Sequence, residues 1–573
     1  MGKGLILFAL GWALVLGGGW LAHKVQTAGG IAVSDVRFKG PKGETMSALL
    51  YVPAAATAAQ PAPGVLAVHG YINTRETQDG FAIELARRGY VVLALDQTGH
   101  GYSDPPAFSN GFGGPAGLAY LRSLPMVDGG NIGLEGHSMG GWTVLAAAKA
   151  MPGAYRAVVL EGSSTGAPFA AEGDAAWPRN LAVVFSQYDE FAKLMWGVDR
   201  AKDVGSSPKL AKVFGTSAPV VANRLYGSVD LGTARILKTP PVTHPGDHIS
   251  RTAIGDATDW FSRTLRGGAP RVAGDQTWIW KEVGTLIAFG GFVILLLGTF
   301  DLLLRAPLFA ALRGQPAPVR TARDGRWWAT LIVGGLIPAI TYFPFMALGA
   351  LLLPPSAIFR QTVTSQIMLW ALLNAAIVLL LGLLLKSPRP AARSPLIPTL
   401  AIAVATVAMG YLAVWVSDVL FKTDLRFFVL ALKLPAAHQC IAFLIYLAPF
   451  TLFFAVTLGA LHRNLAIAGD GAAQTYLSAI AALALGFAVL LALDYGWLFA
   501  TGALLTPWDP LDTVIAMQFL PLMAIVGAIS AFAWRRTGSA LPGAVISALF
   551  VTWYITAGTA THWADGMPFW PGL

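Results

Sequence analysis

The sequence predicts two architectures in one chain: an α/β domain on a doubly wound, mostly parallel eight-stranded sheet, and an all-α transmembrane helix bundle. Three observations predict it. Between about residues 31 and 268, short apolar runs alternate with stretches of helical spacing, the pattern of βα units. Beyond about residue 271 the apolar runs lengthen to the roughly 20 residues that cross a bilayer. Charged residues make up only 12% of the chain, against about 25% in soluble proteins, and mean hydropathy is +0.58. At 573 residues the chain exceeds a single core. It is divided as 1–30, an N-terminal transmembrane signal anchor; 31–268, the α/β domain; and 269–573, a multi-pass region of about eight helices.

The anchor is an apolar run from Leu5 to Ala22 behind Lys3, with no clean small-residue cleavage site before His23 and Lys24. Strands are expected at Val33–Phe38, Met46–Val52, Gly64–Val68, Tyr90–Leu95, Asn131–Leu134, Ala157–Leu160, Leu181–Phe185 and Arg235–Val242. Several are Val/Leu runs without alternation, as strands buried on both faces should be. The Gly40–Gly43 turn makes the first two an antiparallel hairpin, while Asp79–Arg88 and Met139–Ala150 have helical spacing. Spans are expected near 283–304, 328–353, 366–385, 396–420, 437–460, 475–499, 513–533 and 541–560, about nine with the anchor.

The +9 net charge falls mostly between these runs and not along a basic stripe, which argues against nucleic-acid binding. Arg305, Arg313, Arg320, Arg323, Arg326, then Lys386, Arg389, Arg393, then Arg463, Arg535 and Arg536 occupy alternate loops. That alternation places them and the N-terminus in the cytoplasm of an integral membrane protein, with the α/β domain on the outer face of a plasma (inner) membrane. The single cysteine, Cys440, excludes an intrachain disulfide and a cysteine-rich metal site.

The chemistry begins at Gly136-His137-Ser138-Met139-Gly140, between a strand and a helix. This is the G-x-S-x-G elbow, a turn so tight that flanking side chains would clash, with the serine exposed ahead of a helix N-terminus. Leu66–Tyr71 and Leu95–Ser103 accompany it, and on these three motifs residues 31–268 resemble the α/β-hydrolase family of serine esterases and lipases. The resemblance implies a triad in the order serine, acid, histidine: Ser138 as nucleophile, Asp189 after the seventh strand as acid with Glu190 as its rival, and His244 after the eighth as base, with His248 as alternative. It also implies an oxyanion hole from the backbone N–H groups of Tyr71 and Met139. His69, ahead of the serine and beside Gly70, reads as a loop brace and His100 as structural, while Asp96 at the end of the fourth strand reads as a turn brace or a displaced acid. No cofactor or metal is implied. Pro245 and Gly246 spoil a helical His-x-x-x-His zinc pair.

The expected function is a membrane-anchored serine hydrolase that cleaves an ester, thioester or amide through an acyl-enzyme. Its partners are a small-molecule or lipid ester and the bilayer, not nucleic acid. Two further readings stand beside it: a transporter or channel with a regulatory hydrolase-like domain, and a membrane acyltransferase. The connection between strands seven and eight, about residues 190–234, is long enough to roof the site, while the one before it is too short for a large cap. Asn374, Asp418, His438 and Asp494 are polar residues in or near spans, where such groups are costly.

Overall fold

The structure is a computed structural model that describes residues 2–318, 320–385 and 394–563. Helix α1 (Lys3–Gln26) leads into β1 (Ala32–Lys39), β2 (Thr45–Val52), β3 (Ala62–Val68), α2 (Asp79–Arg87), β4 (Val91–Asp96), α3 (Gly114–Ser123) and β5 (Val127–His137). There follow α4 (Met139–Ala150), β6 (Ala157–Glu161), β7 (Leu181–Val184), the short α5 (Ala192–Trp196) and α6 (Pro208–Phe214), β8 (Arg235–Lys238) and α7 (Arg251–Thr264). The eight strands form one sheet in the order β1-β2-β4-β3-β5-β6-β7-β8. Only the β1–β2 and β2–β4 pairings are antiparallel.

Every expected strand is present, and the first two pair as the expected hairpin. β8 stops at Lys238, short of Val242, because Pro240 and Pro241 bring no N–H to a ladder. β4, β6 and β7 are buried along their whole length, which explains their unbroken apolar runs. Ser250 caps α7, its hydroxyl accepting the Ala253 N–H at 3.1 Å. The chain reverses direction across the sheet where β3 lies between β4 and β5, so a crevice opens at the carboxyl ends of these strands.

The helical region comprises α8 (Ile279–Leu304), α9 (Gly325–Ile340), α10 (Tyr342–Leu352), α11 (Thr362–Leu384) and α12 (Leu396–Phe421). A small hairpin of β9 (Leu425–Phe427) and β10 (Leu430–Leu432) precedes α13 (Ala437–Leu465), α14 (Ala472–Thr501), α15 (Pro510–Thr537) and α16 (Leu541–Gly558). Among the described residues, eight helices are long and apolar enough to cross a membrane, α1 included. The bent α9–α10 pair would make nine. The expected span at 328–353 is this pair, bent by 42°. Pro338 weakens the helix there, and Asn374 braces the break, its amide donating to Thr341 Oγ1 at 3.1 Å. Asp494 is likewise structural: it accepts the N–H groups of Leu505 and Thr506 at 2.9 and 3.1 Å. The basic residues Lys386, Arg389 and Arg393 lie outside the described residues.

α1 packs along α8 through opposed glycines. A Cβ at Gly18 would stand 2.4 Å from the Gly284 carbonyl oxygen, and one at Gly298 would stand 2.4 Å from the Phe8 nitrogen. Without hydrophobic drive inside lipid, such backbone approach is what holds helices together. The sheet sits on the end of the bundle where α1, α12, α14 and α16 finish and α8, α11, α13 and α15 begin. After α16, the Thr561 N–H donates to Gly99 O at 2.8 Å and its carbonyl accepts from Ala107 at 2.9 Å, clasping the loop after β4. At the opposite end, Arg536 pairs with Asp301 at 2.6 Å and Arg323 with Asp470 at 2.7 Å.

Candidate active site

β5 ends at His137 and α4 starts at Met139, which leaves Ser138 alone at the turn with φ 54° and ψ −122°. Few side-chain-bearing residues hold that conformation without surrounding structure to enforce it. The enforcement is steric. A Cβ at Gly136 would lie 2.2 Å from Gly140 O, and one at Gly140 2.1 Å from Val68 O. The Ser138 N–H donates to Glu161 O at 2.8 Å, tying the turn to β6.

The loop after β7 brings in the acid and the segment after β8 the histidine. Asp189 is buried; its Oδ1 accepts the Phe191 N–H at 2.8 Å, and its Oδ2 faces His244 Nδ1 at 2.8 Å. Glu190 holds the histidine backbone instead: its Oε2 accepts the His244 N–H at 2.7 Å, and its Oε1 accepts the Tyr495 hydroxyl at 2.8 Å. His248 has no hydrogen-bond partner for either ring nitrogen among the described residues, and its ring packs on His137 at 4.0 Å between centroids. His137 in turn meets His244 O at 2.9 Å. Of the two histidine candidates, His244 is the one oriented by a carboxylate.

Gly70 brings the loop after β3 against the elbow, since a Cβ there would lie 3.1 Å from Ser138 Cβ. Tyr71 follows, and Met139 opens α4, where helix N–H groups favour negative charge. The Tyr71 hydroxyl meets His562 Nε2 at 2.8 Å. His69 and Asp96 brace loops: His69 Nε2 accepts the Gln97 N–H at 3.1 Å, and Asp96 accepts the N–H groups of Arg75 and Tyr102 at 2.9 and 3.0 Å. His100 Nε2 accepts the Ile72 N–H at 3.3 Å.

Ser138, His244, His248, Gly70 and Tyr71 line one cavity, although among the described residues no hydrogen bond joins the Ser138 hydroxyl to His244. Such contacts often tighten only when substrate is bound. Phe191, Leu194 and Met195, in and beside α5, wall one side, as the length of the β7–β8 connection suggested. The rest of the roof comes from the bundle: Phe428 and Val429 of the β9–β10 turn, and Leu511, Val514 and Gln518 of α15. These residues, with Tyr495 and His562, carry no local sequence signal of a site. A roomier cavity of about 400 Å³ lies at the far end of the bundle, beside His462 and Arg535 and away from the elbow.

Burial dominates the electrostatics. It lowers the His244 imidazole to about 3 and lifts the Asp189 carboxyl well above its usual range. Burial and then the adjacent Asp189 push Glu190 up to about 8. His137 and His248 are held well below the ordinary histidine value, first by burial and then by neighbouring histidines. His69 is lowered to about 4, also by burial. At neutral pH His244 is therefore uncharged and able to accept a proton.

Residues 63–235 match a family model described as the alpha/beta hydrolase fold. No curated protein matches the chain. Among solved structures, the chain is similar to DcsB in complex with a substrate analogue, at 22% identity over 24% of this chain and 48% of that one, TM-score 0.20. It thus spans about half the length of that protein. A dienelactone hydrolase-like promiscuous phosphotriesterase from metagenomic libraries is 14% identical over 41% of this chain and 99% of that one, TM-score 0.29. A Pyrococcus furiosus esterase is 15% identical over 41% of this chain and 94% of its own, TM-score 0.29. The chain carries an α/β-hydrolase domain, matched over residues 63–235, joined to a C-terminal series of helices of membrane-spanning length.

Proposed function

We propose that this protein is a membrane-anchored serine hydrolase that cleaves an ester, with thioesters and amides open to the same chemistry. Residues 1–30 serve as anchor, 31–268 as catalytic domain on the outer face of a plasma (inner) membrane, and 269–573 as the multi-pass bundle. The observation that carries the reading is the 2.8 Å pairing of His244 with Asp189 in the cavity that Ser138 enters from a strained, glycine-flanked elbow. In the reaction, His244 Nε2 takes the Ser138 hydroxyl proton as Oγ bonds to the carbonyl carbon. Asp189 fixes the tautomer and favours the imidazolium. The N–H groups of Tyr71 and Met139 hold the oxyanion. The carbon–oxygen bond to the alcohol then breaks, and the alcohol leaves with the proton from His244. Water, deprotonated by His244, attacks the acyl-enzyme and frees the acid and Ser138.

Labelling of the full-length protein by a fluorophosphonate tests this. Covalent modification at Ser138, lost in Ser138→Ala, supports the proposal; a folded protein with no Ser138-dependent labelling ends it. Transfer of the acyl group to a lipid or glycan shares every step up to the acyl-enzyme, so product analysis separates it from hydrolysis. Solute flux that survives Ser138→Ala would instead favour the transporter reading.

A further inference from the structure

The loops that carry the acid and the base do not stand on the sheet alone. Beyond the last rungs of β7 and β8 they continue side by side: the Gln187 N–H donates to Pro240 O at 2.8 Å and the Tyr188 N–H to Val242 O at 3.1 Å. The far side of the acid loop rests on the C-terminal end of α14, a helix of spanning length. Tyr188, next to Asp189, packs on an apolar cluster of Tyr495, Leu498 and Leu504, and its ring meets Phe499 edge-on at 5.1 Å between centroids. A polar tie is added by the Tyr495 hydroxyl, which donates to Glu190 Oε1 at 2.8 Å. Among the described residues no other side chain donates to Glu190, and no lysine or arginine forms an ion pair with it.

Glu190 passes this tie on to the base. Its other oxygen accepts the His244 N–H at 2.7 Å. That N–H has no strand ladder to join, since β8 ends at Lys238 and Pro245 opens a short turn of tight helix, Pro245–Ile249. Two carboxylates therefore fix the residue, Asp189 at the ring and Glu190 at the backbone. Removal of the Tyr495 hydroxyl leaves Oε1 without its donor, and an acceptor deprived of its partner shifts toward another or toward water. The His244 backbone would move with it, and misplacement of a catalytic group by about 1 Å can cost roughly 10²-fold in rate.

We propose that Tyr495 is a positioning residue for the catalytic base: from the spanning-length helix α14 its hydroxyl holds Glu190, and Glu190 holds His244 in register with Ser138 and Asp189. The inference rests on the serine hydrolase reading and adds the bundle's share in it. The bundle is then part of the machinery as well as an anchor, because the geometry of the triad depends on where α14 ends.

The test uses the full chain in lipid nanodiscs and compares the unmodified protein, Tyr495→Phe, Glu190→Ala and the double variant. Tyr495→Phe keeps the ring and removes only the hydroxyl. It should slow fluorophosphonate labelling of Ser138 about tenfold and lower kcat for p-nitrophenyl acetate by the same factor, with KM within about twofold and an unfolding temperature close to the parent's. In the Glu190→Ala background the same exchange should alter labelling by less than about twofold, because the hydroxyl acts through Glu190. Should Glu190→Ala fail to fold, Glu190→Met, which fills the same space, replaces it in the cycle. Labelling and kcat of Tyr495→Phe equal to those of the unmodified protein overturn the proposal. So does a tenfold loss that persists without Glu190, which would make Tyr495 a packing residue, or a rise in KM at unchanged kcat. No labelling of the unmodified protein ends the serine reading itself, whereas Ser138-dependent labelling indifferent to Tyr495→Phe ends this inference alone.

Discussion

Two groups of buried ionisable side chains flank the hydrolase sheet, and they follow opposite plans. At the seam with the bundle, Glu76 stands 3.1 Å from Arg75, 3.8 Å from Arg426 and 3.7 Å from Lys433, and accepts the Thr74 hydroxyl at 2.7 Å. Arg75 also forks onto Asp35 at 2.8 and 2.9 Å, and Arg426 pairs with Asp424. Around the elbow, Glu135, Glu161, Asp189 and Asp247 are all buried, and none forms an ion pair with a lysine or arginine among the described residues. The consequence is a divergence in proton affinity. Lys433, Arg75 and Arg426 hold Glu76 well below the usual carboxylate range despite burial, whereas burial pushes all four elbow carboxylates well above it. The cations of the seam favour the charged form of Glu76. The elbow keeps groups poised to exchange protons, which is the arrangement acid–base chemistry uses.

The largest effect that would break this division lies on the rate. Ser138→Ala and His244→Ala should each lower kcat by about 10³-fold or more, and Asp189→Asn by about 10²–10⁴-fold, with unfolding temperatures close to the parent protein. His248→Ala should cost less than about tenfold, because among the described residues no carboxylate orients its ring. If His248→Ala were the silent enzyme and His244→Ala the active one, the assignment of the base would reverse. At the seam the expected loss is in stability instead. Glu76→Gln leaves three cations facing a neutral amide and should destabilise the full-length protein by about 3–5 kcal/mol in detergent unfolding. Loss of turnover from a variant that unfolds normally would show that the seam belongs to the chemistry after all.

Titration sharpens the contrast further. A histidine base works when neutral, so activity falls as pH drops through its folded value. Burial lowers His244 to about 3, so the acid limb of kcat/KM should have its midpoint well below the ordinary histidine value of about 6.5. A limb centred at 6.5 or higher would mean that His244 is solvated or that another group supplies the base.

How much of this was legible beforehand depends on distance along the chain. The elbow is written in five adjacent residues whose glycines are sterically required, so Ser138 and its flanks could be read directly. Asp189 and His244 follow strands that stand out as apolar runs, and the structure brings those two together. The walls could not be read. Tyr495 reaches Glu190 from 305 residues away, and Val514 looks like any apolar residue of a span. The α9–α10 bend was hidden because apolar composition continues across Pro338 and Thr341, and composition reports lipid exposure but not direction. Arg426 and Lys433 lie in the segment between α12 and α13. Buried against Glu76 and Asp424, they are structural ties whose cost is met by counter-ions from both sides of the seam.

The smallest expected effect is also the one that separates the two plans most cleanly. Among the described residues neither carboxylate oxygen of Glu161 has a hydrogen-bond partner, and burial, then Asp247 and Glu135, push its proton affinity up. An unfolded glutamate titrates near 4.3. The folded state therefore retains a proton that the unfolded state releases, so this group's contribution to stability is full below about pH 4.3 and is lost as pH rises toward the folded value. Glu161→Gln keeps the shape and removes the titration. It should match the parent near pH 4 and exceed it by about 1–3 kcal/mol at pH 8, where the parent must either bury an unsatisfied carboxylate or hold its proton against solvent. Thermal unfolding at pH 4.5, 6 and 8 measures the difference. A variant less stable than the parent at pH 8 would mean that Glu161 is ionised and compensated, as Glu76 is. The same Glu→Gln exchange carries opposite signs at the two sites, because among the described residues three cations face one carboxylate and none faces the other.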